Sequence, residues 1–417
     1  MHRISFEMDR RTAGLKIYQV GGSVRDALLG KPAGDRDFVV VGSAPEELLA
    51  RGFRPVGRDF PVFLHPDTGE EYALARTERK AGRGYHGFAF HAGPDVTLEA
   101  DLARRDLTIN AMAVGADGTL IDPFKGRSDL QQGRLCHVSE AFREDPVRIL
   151  RLARFATRFE NFRIAERTLQ LCREMVSDGE VDYLVAERVW QEMSRALMHR
   201  RPSRFFRVLR EIDALRAILP EVDALFGIPQ SPQHHPEIDT GLHTLMVLDQ
   251  AADLGGELPE RFAALVHDLG KARTPATQWP AHHGHERLGL PLIKDLCKRL
   301  RVPSACRDLA LLVGELHLQA HRAETLRPAS LVRLLERLDA FRRPERLEPF
   351  LLACAADYKG RQGLSERAYP QAERLRLAHR AAGEVSVRPL LERGLQGPSL
   401  GQALHEARID QVRRTLA

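Results

Sequence analysis

The chain has 417 residues, of which 43% are hydrophobic and 29% charged, with a net charge of +5. These values predict a soluble globular protein of two to four domains. No apolar run is long enough to cross a bilayer, and the five cysteines include no C-x-x-C pair, so we expect no membrane partner, no disulfide framework and a reducing cytoplasm.

Residues 1–14 lack the apolar stretch of a signal peptide, and we interpret them as a loose extension or as a start codon assigned too far upstream. Residues 15–138 then mix strand and helix patterns. Four segments read as strands, namely KIYQV, DFVVVG, PVFLHP and EEYALAR. Two read as short helices, SVRDALLG and PEELLARG. This part of the chain predicts an α/β head.

The head opens on an unusual stretch, in which Asp35 and Asp37 lead directly into the apolar strand Phe38 to Val41. Side chains two residues apart on a strand point to the same face. Two carboxylates so close together need a cation between them, and hard oxygen ligands suit Mg²⁺. Alone, such a pair is more simply explained as the solvated end of a strand.

Upstream of these aspartates, Gly21 and Gly22 stand between a strand and a helix, where backbone N–H groups can approach a phosphate. Arg25, one helical turn later, can reach the same anion. The order of strand, glycine pair, arginine-bearing helix and paired aspartates therefore favours a metal and triphosphate site over the alternative of a plain turn.

From about residue 139 onward the pattern becomes helical, with apolar residues at helical spacing in DPVRILRLARFATRF, ERTLQLCREMVSD, AERVWQEMSRALMH and PSRFFRVLREIDALRAIL. A proline-rich joint, FGIPQSPQHHPEI, precedes further helices to residue 417. We therefore predict an α+β chain: a small mixed-sheet head followed by an all-α neck, body and tail. The predicted domains are an extension, a head, a neck, a body and a tail at 1–14, 15–138, 139–225, 226–345 and 346–417.

A basic segment lies in the neck, since residues 195–210, RALMHRRPSRFFRVLR, hold six arginines and no acid. Arginine suits phosphate recognition because its planar fork donates two parallel hydrogen bonds. The chain uses 54 arginines against 8 lysines, however, and genome composition alone can cause that excess. Composition does not decide between the two explanations.

Three motifs in order carry a family resemblance: the strand, Gly-Gly and D-x-D arrangement, LARRDLTINAMA at 102–113, and EDPVRILRLARF at 144–155. The first resembles the nucleotidyltransferase superfamily that includes DNA polymerase β. Together they resemble the bacterial class II CCA-adding tRNA nucleotidyltransferases that carry an HD domain. Bacterial poly(A) polymerase shares the head motifs, and the likeness runs from about residue 15 to the C-terminus.

The resemblance implies that a primer 3′-hydroxyl attacks the α-phosphate of CTP or ATP and that pyrophosphate leaves. Asp35 and Asp37 are then the catalytic ligands of two Mg²⁺ ions. A third carboxylate usually comes from a nearby strand in this superfamily, and Glu71 or Glu70 is the candidate. The resemblance also assigns nucleotide contacts, with Asp106 at the ribose; the contact residues in the head are Gly22, Arg25 and Arg105.

Base choice without a template falls, by the same resemblance, to Asp145 and Arg148. A carboxylate accepts and a guanidinium donates, which matches the amino donor and ring-nitrogen acceptor shared by cytosine and adenine. Asp145 before a proline is also an ordinary helix start. Arg151 and Arg154 continue along the helix as further nucleotide contacts. The glycine-rich loop at 78–94 is a candidate for the element that adjusts the pocket between C and A.

The body carries histidines in separate helical segments, and HDLGK at 267–271 resembles the signature of HD phosphohydrolases. Imidazole and carboxylate groups together bind divalent transition ions, and the HD site would take one such ion, with Ni²⁺ as one candidate. The resemblance implies phosphatase, 2′-nucleotidase and 2′,3′-cyclic phosphodiesterase activities. The expected ligands are His243, His267 and Asp268, joined by His283 or His285 and by His317.

The expected partners are a tRNA acceptor arm, read by shape and phosphates, and CTP and ATP, with the chain as a monomer or homodimer. Within the same class, the alternatives are a poly(A) polymerase and an enzyme that adds only CC or only A. A metal-dependent phosphohydrolase whose head senses nucleotides is a different class. A non-enzymatic RNA-binding protein is the weakest alternative, because it explains neither metal site.

Overall fold

The computed structural model describes residues 4–32, 34–56, 62–80, 88–233 and 235–417, without the side chains of 78–80 and 88–90. The chain divides into two compact units. The first comprises Met1–Glu192 with Glu211–Ala214, and the second Met193–Arg210 with Leu215–Ala417. None of the helices in the described ranges is both long and apolar enough to cross a membrane.

A mixed sheet forms the head of the first unit, and within the described residues it has seven strands in the order β3-β4-β5-β2-β1-β8-β9. A β6–β7 hairpin and a short β10–β11 pair accompany it. The strands are β1 Lys16–Val20, β2 Asp37–Val41, β3 Arg54–Val56, β4 Val62–Leu64, β5 Glu71–Leu74, β6 Arg76–Lys80, β7 Phe88–Ala92, β8 Ala113–Gly115, β9 Leu120–Ile121, β10 Arg134–Leu135 and β11 Arg163–Ile164.

The central strand β2 positions the site because it pairs antiparallel with β1 and parallel with β5. Its side chains alternate between two apolar layers, with Phe38 and Val40 in one cluster and Val39 in the other. Both faces of the strand are therefore buried, as its continuous apolar run predicts. The register places Asp37, the first residue of β2, opposite Glu71.

Residues 4–14 pack against this head, so the expectation of a loose tail is wrong for them. Phe6 is buried in the cluster around Phe38, with ring centroids 5.0 Å apart at an edge-to-face angle. Asp9 lies 3.0 Å from Nε2 of the buried His65. One aromatic side chain within a polar segment was too weak a signal to predict this packing, although burying it contributes roughly 1.5–3 kcal/mol.

The helices of the first unit lie between and after the strands in the chain and continue into the neck. Most predicted helices are confirmed. Helix α5, Val147–Arg158, begins within the motif EDPVRILRLARF, and nine of its twelve residues are buried. The helices are α1 Gly22–Leu28, α2 Pro45–Ala50, α3 Leu98–Ala103, α4 Gly126–Gln131, α5 Val147–Arg158, α6 Glu166–Ser177 and α7 Ala186–Leu197, the last of which extends beyond Glu192.

Apart from an isolated β-bridge between Pro229 and Asp239, the regular structure in the described residues of the second unit is helical. The single helix expected from PSRFFRVLREIDALRAIL is instead two, because Asp213 adopts a left-handed conformation with φ of 60° between them. The helices are α8 Ser203–Glu211, α9 Ala214–Ile218, α10 Pro220–Asp223, α11 Thr240–Asp253, α12 Leu258–Val266, α13 His285–Arg299, α14 Ser304–His321, α15 Pro328–Arg337, α16 Leu347–Lys359, α17 Pro370–Gly383, α18 Arg388–Glu392 and α19 Gly397–Leu416.

The predicted fold class is thus confirmed: a mixed-sheet head comes first and a helical body follows. All five cysteines lie in described ranges and are buried free thiols.

Candidate functional site

A cavity of about 870 Å³ opens on the head, where the Gly-Gly turn, the starts of β2 and β5, and helix α5 meet. Its walls are dominated by arginine. The charged and polar residues that line it are Arg25, Asp37, Glu71, Arg76, Arg104, Arg105, Asp106, Asn110, Asp145, Arg148, Arg151, Arg154, Arg158 and Arg188.

The Gly-Gly turn is shaped for close approach. Gly21 has φ of 73°, a conformation that side chains rarely adopt, and a Cβ there would lie 3.0 Å from Nη1 of Arg105. Gly22 begins α1, and both glycines line the cavity. A side chain at Gly21 would therefore strain the backbone and displace an arginine from the wall.

The carboxylates at the cavity mouth are arranged by strand register. Asp37 and Glu71 are direct neighbours on parallel strands, and both line the cavity. Burial by the surrounding protein, together with the carboxylates of Glu71 and Asp35, raises the pKa of Asp37 above its usual value, although its side chain remains open to the cavity. Mutual repulsion of this kind is what a bound cation relieves, so these residues fit a magnesium ion.

Asp35 and Glu70 occupy different surroundings. Asp35 is exposed and acts on Asp37 through its charge. Glu70 instead pairs with Arg36, with 2.5 Å between Nη2 and Oε1, and accepts a hydrogen bond from the Thr68 hydroxyl. Of the two candidates for the third carboxylate, Glu71 is the one whose side chain lines the cavity.

Arg25 is almost completely buried in the cavity wall. It donates to the side-chain oxygen of Asn110 and to both carboxylate oxygens of Asp26 at 3.0 Å. Its guanidinium lies 5.3 Å from the ring centroid of Phe155. Burial lowers the pKa of Arg25 and the Asp26 charge opposes that shift, so the arginine is a fixed cation held from three directions.

Asp106 is a second buried charged residue in the cavity wall. Its carboxylate accepts from the backbone N–H of Leu107 at 2.8 Å, from Nδ2 of Asn110 at 3.0 Å and from Nε of Arg151 at 2.7 Å. Burial opposes its ionisation, but the Arg151 charge and these hydrogen bonds outweigh burial and lower the pKa of Asp106 well below its usual range. In this structure Asp106 orients Arg151 on the cavity wall.

Asp145 lies at the start of α5 and does two things at once. It caps the helix by accepting from the backbone N–H of Val147 at 3.0 Å. It also receives a two-pronged contact from Arg188 of α7, at 3.1 and 2.7 Å. Nη1 of Arg148 donates a hydrogen bond to the carbonyl oxygen of Ala141 at 2.7 Å. Both Asp145 and Arg148 line the cavity, as their predicted role requires.

The remaining predicted contacts also lie in the wall. Arg154 donates to Glu192, and Arg105 lies 3.2 Å from Asp101. Nε of Arg105 is buried without a hydrogen-bond partner among the described residues. Thus every nucleotide contact predicted from the sequence lines this cavity, namely Gly22, Arg25, Arg105, Asp145, Arg148, Arg151 and Arg154.

Sequence reasoning missed Arg188 and Asn110. Arg188 lies 40 residues beyond Arg148 on a helix that otherwise has an ordinary amphipathic pattern, so no local signal distinguishes it. Asn110 lies within the quoted motif LARRDLTINAMA, where a polar residue between Ile109 and Ala111 was the available signal, and the structure buries it. Of the loop at 78–94, residues 81–87 lie outside the described residues, so its role in base choice stays a prediction.

A second cluster lies in the helical unit, where six buried side chains converge. They come from five helices or helix ends. The six are His243 on α11, His267 and Asp268 just after α12, His285 at the start of α13, His317 on α14 and Asp357 on α16.

Three of these imidazoles are oriented by the backbone. Nδ1 of His267 lies 2.9 Å from the carbonyl oxygen of Ala264, and that of His317 lies 2.9 Å from the carbonyl oxygen of Val313. His285 makes the same contact to the carbonyl oxygen of His282 at 2.8 Å. Donation from Nδ1 leaves a lone pair on each Nε2, which is the tautomer that binds a metal.

The Nε2 atoms point at two carboxylates. Those of His267 and His285 lie 3.1 and 3.2 Å from oxygens of Asp268, and that of His243 lies 3.1 Å from Asp357. Nε2 of His267, Nε2 of His285 and Oδ1 of Asp268 have no hydrogen-bond partner of adequate geometry in the described part of the chain. Buried polar atoms without partners are costly, so this donor set fits a divalent cation.

Without an ion, the carboxylates of the cluster favour a proton on His267, and a bound cation would take the place of that proton. Burial opposes charge on His267, but the carboxylates of Asp268 and Asp357 outweigh it and raise the pKa of the imidazole to about 10. Burial lowers the pKa of His317 to about 3. The pKa values of both aspartates are lowered well below their usual range, chiefly by His267 against the opposing effect of burial. The two carboxylates are therefore held ionised in the interior.

Close backbone packing brings His285 to this cluster. A Cβ on Gly270 would lie 1.9 Å from the carbonyl oxygen of His285, so only glycine lets α13 approach the H-D turn. The alternative, His283, is exposed. Of the two histidines left open by the sequence, His285 is the one in the cluster.

The proline-rich joint contributes to the same cluster, which the sequence reading did not anticipate. Oε1 of Glu237 lies 2.9 Å from Nδ1 of His243, and Gln230 accepts a hydrogen bond at 2.5 Å from the buried Lys271. Asp357 was also missed. An acidic residue within the apolar helix LLACAADYK was the signal that was available for it.

The arginines at 195–210 have mixed environments. Arg195, Arg200, Arg207 and Arg210 are exposed. Arg201 pairs with Asp253 at 2.7 Å. Exposed cations along this segment are compatible with phosphate contacts, which stay a prediction.

Family models divide the chain in the same order as the structure. Residues 17–136 match the "Poly A polymerase head domain", and residues 240–343 match the "HD domain". Between them, residues 161–226 match a model described as "Probable RNA and SrmB- binding site of polymerase A". The head model contains the Gly-Gly turn and the aspartates, and the HD model contains most of the histidine cluster.

Solved structures share the fold. A CCA-adding enzyme in complex with ATP matches with a TM-score of 0.66 at 23% identity, covering 95% of this chain and 86% of that one. The Thermotoga maritima CCA-adding enzyme complexed with tRNA matches with a TM-score of 0.61 at 21% identity, covering 97% and 92% of the two chains. At these identities the likeness is one of fold.

Relatives of known name are much closer in sequence. The multifunctional CCA protein of Alkalilimnicola ehrlichii is 64% identical over 397 residues, which is 95% of this chain and 96% of that protein. The multifunctional CCA protein of Nitrosococcus oceani is 58% identical over 402 residues, or 96% and 99% of the two chains. The chain therefore belongs to the multifunctional CCA proteins, the family of CCA-adding tRNA nucleotidyltransferases that carry an HD domain.

Proposed function

We propose that this chain builds and repairs the 3′-terminal C-C-A of tRNA from CTP and ATP, with release of pyrophosphate. One observation carries the proposal: a single cavity collects seven nucleotide contacts predicted from the sequence, between Gly22 and Arg154, beside the carboxylates of Asp37 and Glu71. The names of its close relatives support the same function.

The cationic wall suits a triphosphate. Arg25 is fixed by burial and by Asn110, while Arg151 is oriented by Asp106. Both can donate to phosphate oxygens without first being ordered, which lowers the entropic cost of binding. The glycine turn before α1 lets the phosphates come close to the backbone.

Asp35, Asp37 and Glu71 would hold Mg²⁺ at the mouth of this wall. Magnesium held by these carboxylates would supply charge neutralisation at the α-phosphate and would lower the pKa of the attacking hydroxyl. The three carboxylates position the ions and the arginines hold the leaving pyrophosphate. The reaction is in-line displacement, in which the tRNA 3′-oxygen bonds to the α-phosphorus as the bond to pyrophosphate breaks.

Base selection would use Asp145 and Arg148. Arg188 contacts both oxygens of Asp145 and so orients the carboxylate. The amino group of a bound cytosine or adenine would donate to the same carboxylate. Arg148 supplies a donor for the ring nitrogen of cytosine or adenine. Uracil and guanine present the reverse order, which would set an acceptor against the Asp145 carboxylate and a donor against the Arg148 guanidinium, so both bases are disfavoured.

The tRNA would lie along the arginine-rich neck. Residues 161–226 match a family model described as an RNA-binding site, and several arginines of 195–210 are exposed. An A-form acceptor arm offers phosphates and 2′-hydroxyls rather than base edges. Exposed guanidiniums suit such a ligand.

The decisive assay supplies labelled CTP and ATP, separately and together, to tRNA that lacks its terminus. The proposal predicts two C residues from CTP alone, and one A that follows only after C-C. A poly(A) polymerase would add A without C. An enzyme for C-C or for A alone would perform only one of the two steps, and either result would overturn the proposal.

The buried histidine cluster favours a second function, metal-dependent hydrolysis of phosphomonoesters and 2′,3′-cyclic phosphates. His243, His267, Asp268 and Asp357 are its candidate ligands, with His285 and His317. A divalent transition ion held by these residues, with Ni²⁺ as one candidate, would supply Lewis acidity for phosphoester cleavage. If His267→Asn leaves phosphoesterase activity of the pure protein unchanged, the activity belongs elsewhere.

A further inference from the structure

We propose that residues 4–14, which we call the strap, position Glu71 opposite Asp37 and so act on the transfer reaction of the head. This inference rests on the proposed nucleotidyltransferase function and names a further positioning element for it. The strap precedes residues 17–136, which match the head-domain model, so it lies outside the matched domain. It contacts the head at three places.

The first contact is with a stack of aromatic rings beside the two carboxylates. Phe38 follows Asp37 on β2. Tyr72 follows Glu71 on β5, and the strand register pairs it with Phe38. The two rings stack with their centroids 4.7 Å apart and 14° between their planes. Phe6 of the strap packs against the Phe38 ring at 5.0 Å, so it supports the stack that fixes the register at the site.

The second contact holds the turn that leads from β4 into β5. Nδ1 of the buried His65 lies 3.3 Å from the backbone nitrogens of Asp67 and Thr68 and accepts a hydrogen bond from each. The other ring nitrogen, Nε2, lies 3.0 Å from Oδ2 of Asp9. This turn is followed by Glu71, the first residue of β5. The strap therefore holds the ring that organises the approach to Glu71.

A bound ion is the rival explanation for this second contact, because ligand atoms of Asp9, His65 and Asp67 lie within 4.8 Å of one another. The hydrogen bonds of the ring argue against an ion. Two backbone N–H groups occupy the lone pair of Nδ1, so a neutral ring carries its proton on Nε2. A protonated Nε2 donates to Asp9 and cannot bind a metal. The contact is therefore a hydrogen bond between strap and head.

Further hydrogen bonds order the strap itself. Oδ1 of Asp9 accepts from the backbone N–H groups of Arg11 and Thr12 at 2.9 Å each, which leaves Oδ2 to face His65. The third contact with the head is reciprocal. Arg11 donates to the carbonyl oxygen of Arg51 at 2.7 Å, and Arg51 donates to the carbonyl oxygen of Arg11 at 3.0 Å. Because Asp9 is already ordered, its contact with the head costs less conformational entropy.

The position of these contacts predicts an effect on the chemical step rather than on nucleotide binding. The strap touches β2, the turn before β5 and the end of α2. The arginines that would hold the triphosphate, Arg25 and Arg151, belong to α1 and α5. Loosening the strap should therefore shift Glu71 relative to Asp37 and weaken the magnesium site, since small misplacements of catalytic groups have large effects on rate.

The test shortens one side chain of the strap in the full chain. Phe6→Ala should lower kcat for CTP incorporation into trimmed tRNA by about tenfold and raise the Mg²⁺ concentration that gives half the maximal rate, with KM for CTP unchanged. Phe6→Leu, which keeps most of the apolar volume, should retain most of the rate. Glu7→Gln alters an exposed neighbour and should change neither quantity. Rates are compared at a temperature below the melting transition of every variant.

A double-mutant cycle separates positioning from simple stabilisation. Because the strap acts through Glu71, Phe6→Ala should cause no further loss of kcat in a chain that carries Glu71→Gln. Asp9→Ala should lower kcat in the same direction as Phe6→Ala. It removes an exposed side chain and leaves the core intact, so the test holds even where Phe6→Ala does not fold.

Two results would overturn the role of the strap and leave the proposed function standing. One is a lower melting temperature in Phe6→Ala and Asp9→Ala with kcat and the magnesium requirement unchanged. The other is a loss of kcat that persists in full in the Glu71→Gln background. In both cases the unmodified chain would still add C and A to tRNA. An unmodified chain that adds neither nucleotide would refute both proposals.

Discussion

The two candidate sites hold their charged and metal-binding side chains in different ways. In the head cavity, arginines are paired with acids of the same wall, as in Arg151 with Asp106 and Arg188 with Asp145, and the cavity remains open to large ligands. In the histidine cluster, backbone carbonyl groups orient the imidazoles, and the imidazoles point towards buried carboxylates.

This difference separates a site that exchanges its ligand from one that keeps it. Ion pairs lining an open cavity can give way to a triphosphate or a base and re-form when product leaves. Buried donors with unsatisfied atoms lose solvation without recovering it elsewhere, so they suit a resident ion. Removing one residue should accordingly affect one chemistry and leave the other alone.

The largest expected effect comes from Asp37→Asn. Loss of a metal-binding carboxylate removes several kcal/mol of transition-state stabilisation, and about 1.4 kcal/mol is tenfold in rate. We therefore expect nucleotide incorporation into trimmed tRNA to fall at least about a thousandfold. Asp67→Asn, which changes an exposed carboxylate of the same head, should keep the activity. Equal losses in both variants would contradict the assignment.

The corresponding change in the second site is His267→Asn in the histidine cluster. Hydrolysis of a 2′,3′-cyclic nucleotide should fall by at least about a hundredfold, because a metal-activated water is worth several kcal/mol. Incorporation of CTP and ATP should stay at the level of the unmodified protein. A parallel loss of incorporation would mean that the sites are not chemically independent. His283→Asn is the matched control for both assays.

A sharper test of the head compares two adjacent glutamates. Glu71 faces Asp37 across the strand pair and lines the cavity, whereas Glu70 pairs with Arg36. Glu71→Gln should lower kcat by about a hundredfold, since about 3 kcal/mol of charge stabilisation is lost. Glu70→Gln should leave kcat nearly unchanged. The reverse result would move the third carboxylate to Glu70.

A smaller effect is expected at Arg188, which holds Asp145. Losing hydrogen bonds to a charged group costs about 1.5–3 kcal/mol. Arg188→Ala should therefore lower kcat/KM for CTP by roughly tenfold to a hundredfold and raise misincorporation of UTP. Arg188→Lys should not restore selectivity, because an ammonium lacks the planar fork. Full rescue by lysine would show that charge alone matters.

The smallest effect concerns the neck. Binding of trimmed tRNA should weaken as salt rises, and Arg207→Ala should reduce the salt slope by about one. Arg342→Ala, another exposed arginine, should leave the slope unchanged. Equal changes in both variants would mean that the neck makes no specific phosphate contact.

Much of this was predictable because local patterns carry it. The apolar run of β2 and the aspartates before it predicted a buried strand with acids at its mouth, and the spacing of Arg148, Arg151 and Arg154 predicted one helical face. Arg188, Asp357 and Glu237 were not predictable in this way. Each reaches its site through tertiary packing, and no periodicity in the sequence relates it to the partners that it contacts.

Phe6 illustrates the same limit for the fold. A single aromatic residue among charged neighbours has no periodicity, yet it packs against Phe38 because the sheet offers it an apolar face. Gly270 shows the same limit. Glycine is needed there because a Cβ would clash with the carbonyl oxygen of His285, a contact that the sequence does not reveal.

The most direct test is a crystal soaked with CTP and Mn²⁺ and measured at the manganese absorption edge. We expect anomalous density between Asp37 and Asp35, with the triphosphate against Arg25 and Arg151. A triphosphate bound elsewhere, with no manganese at these aspartates, would contradict the account.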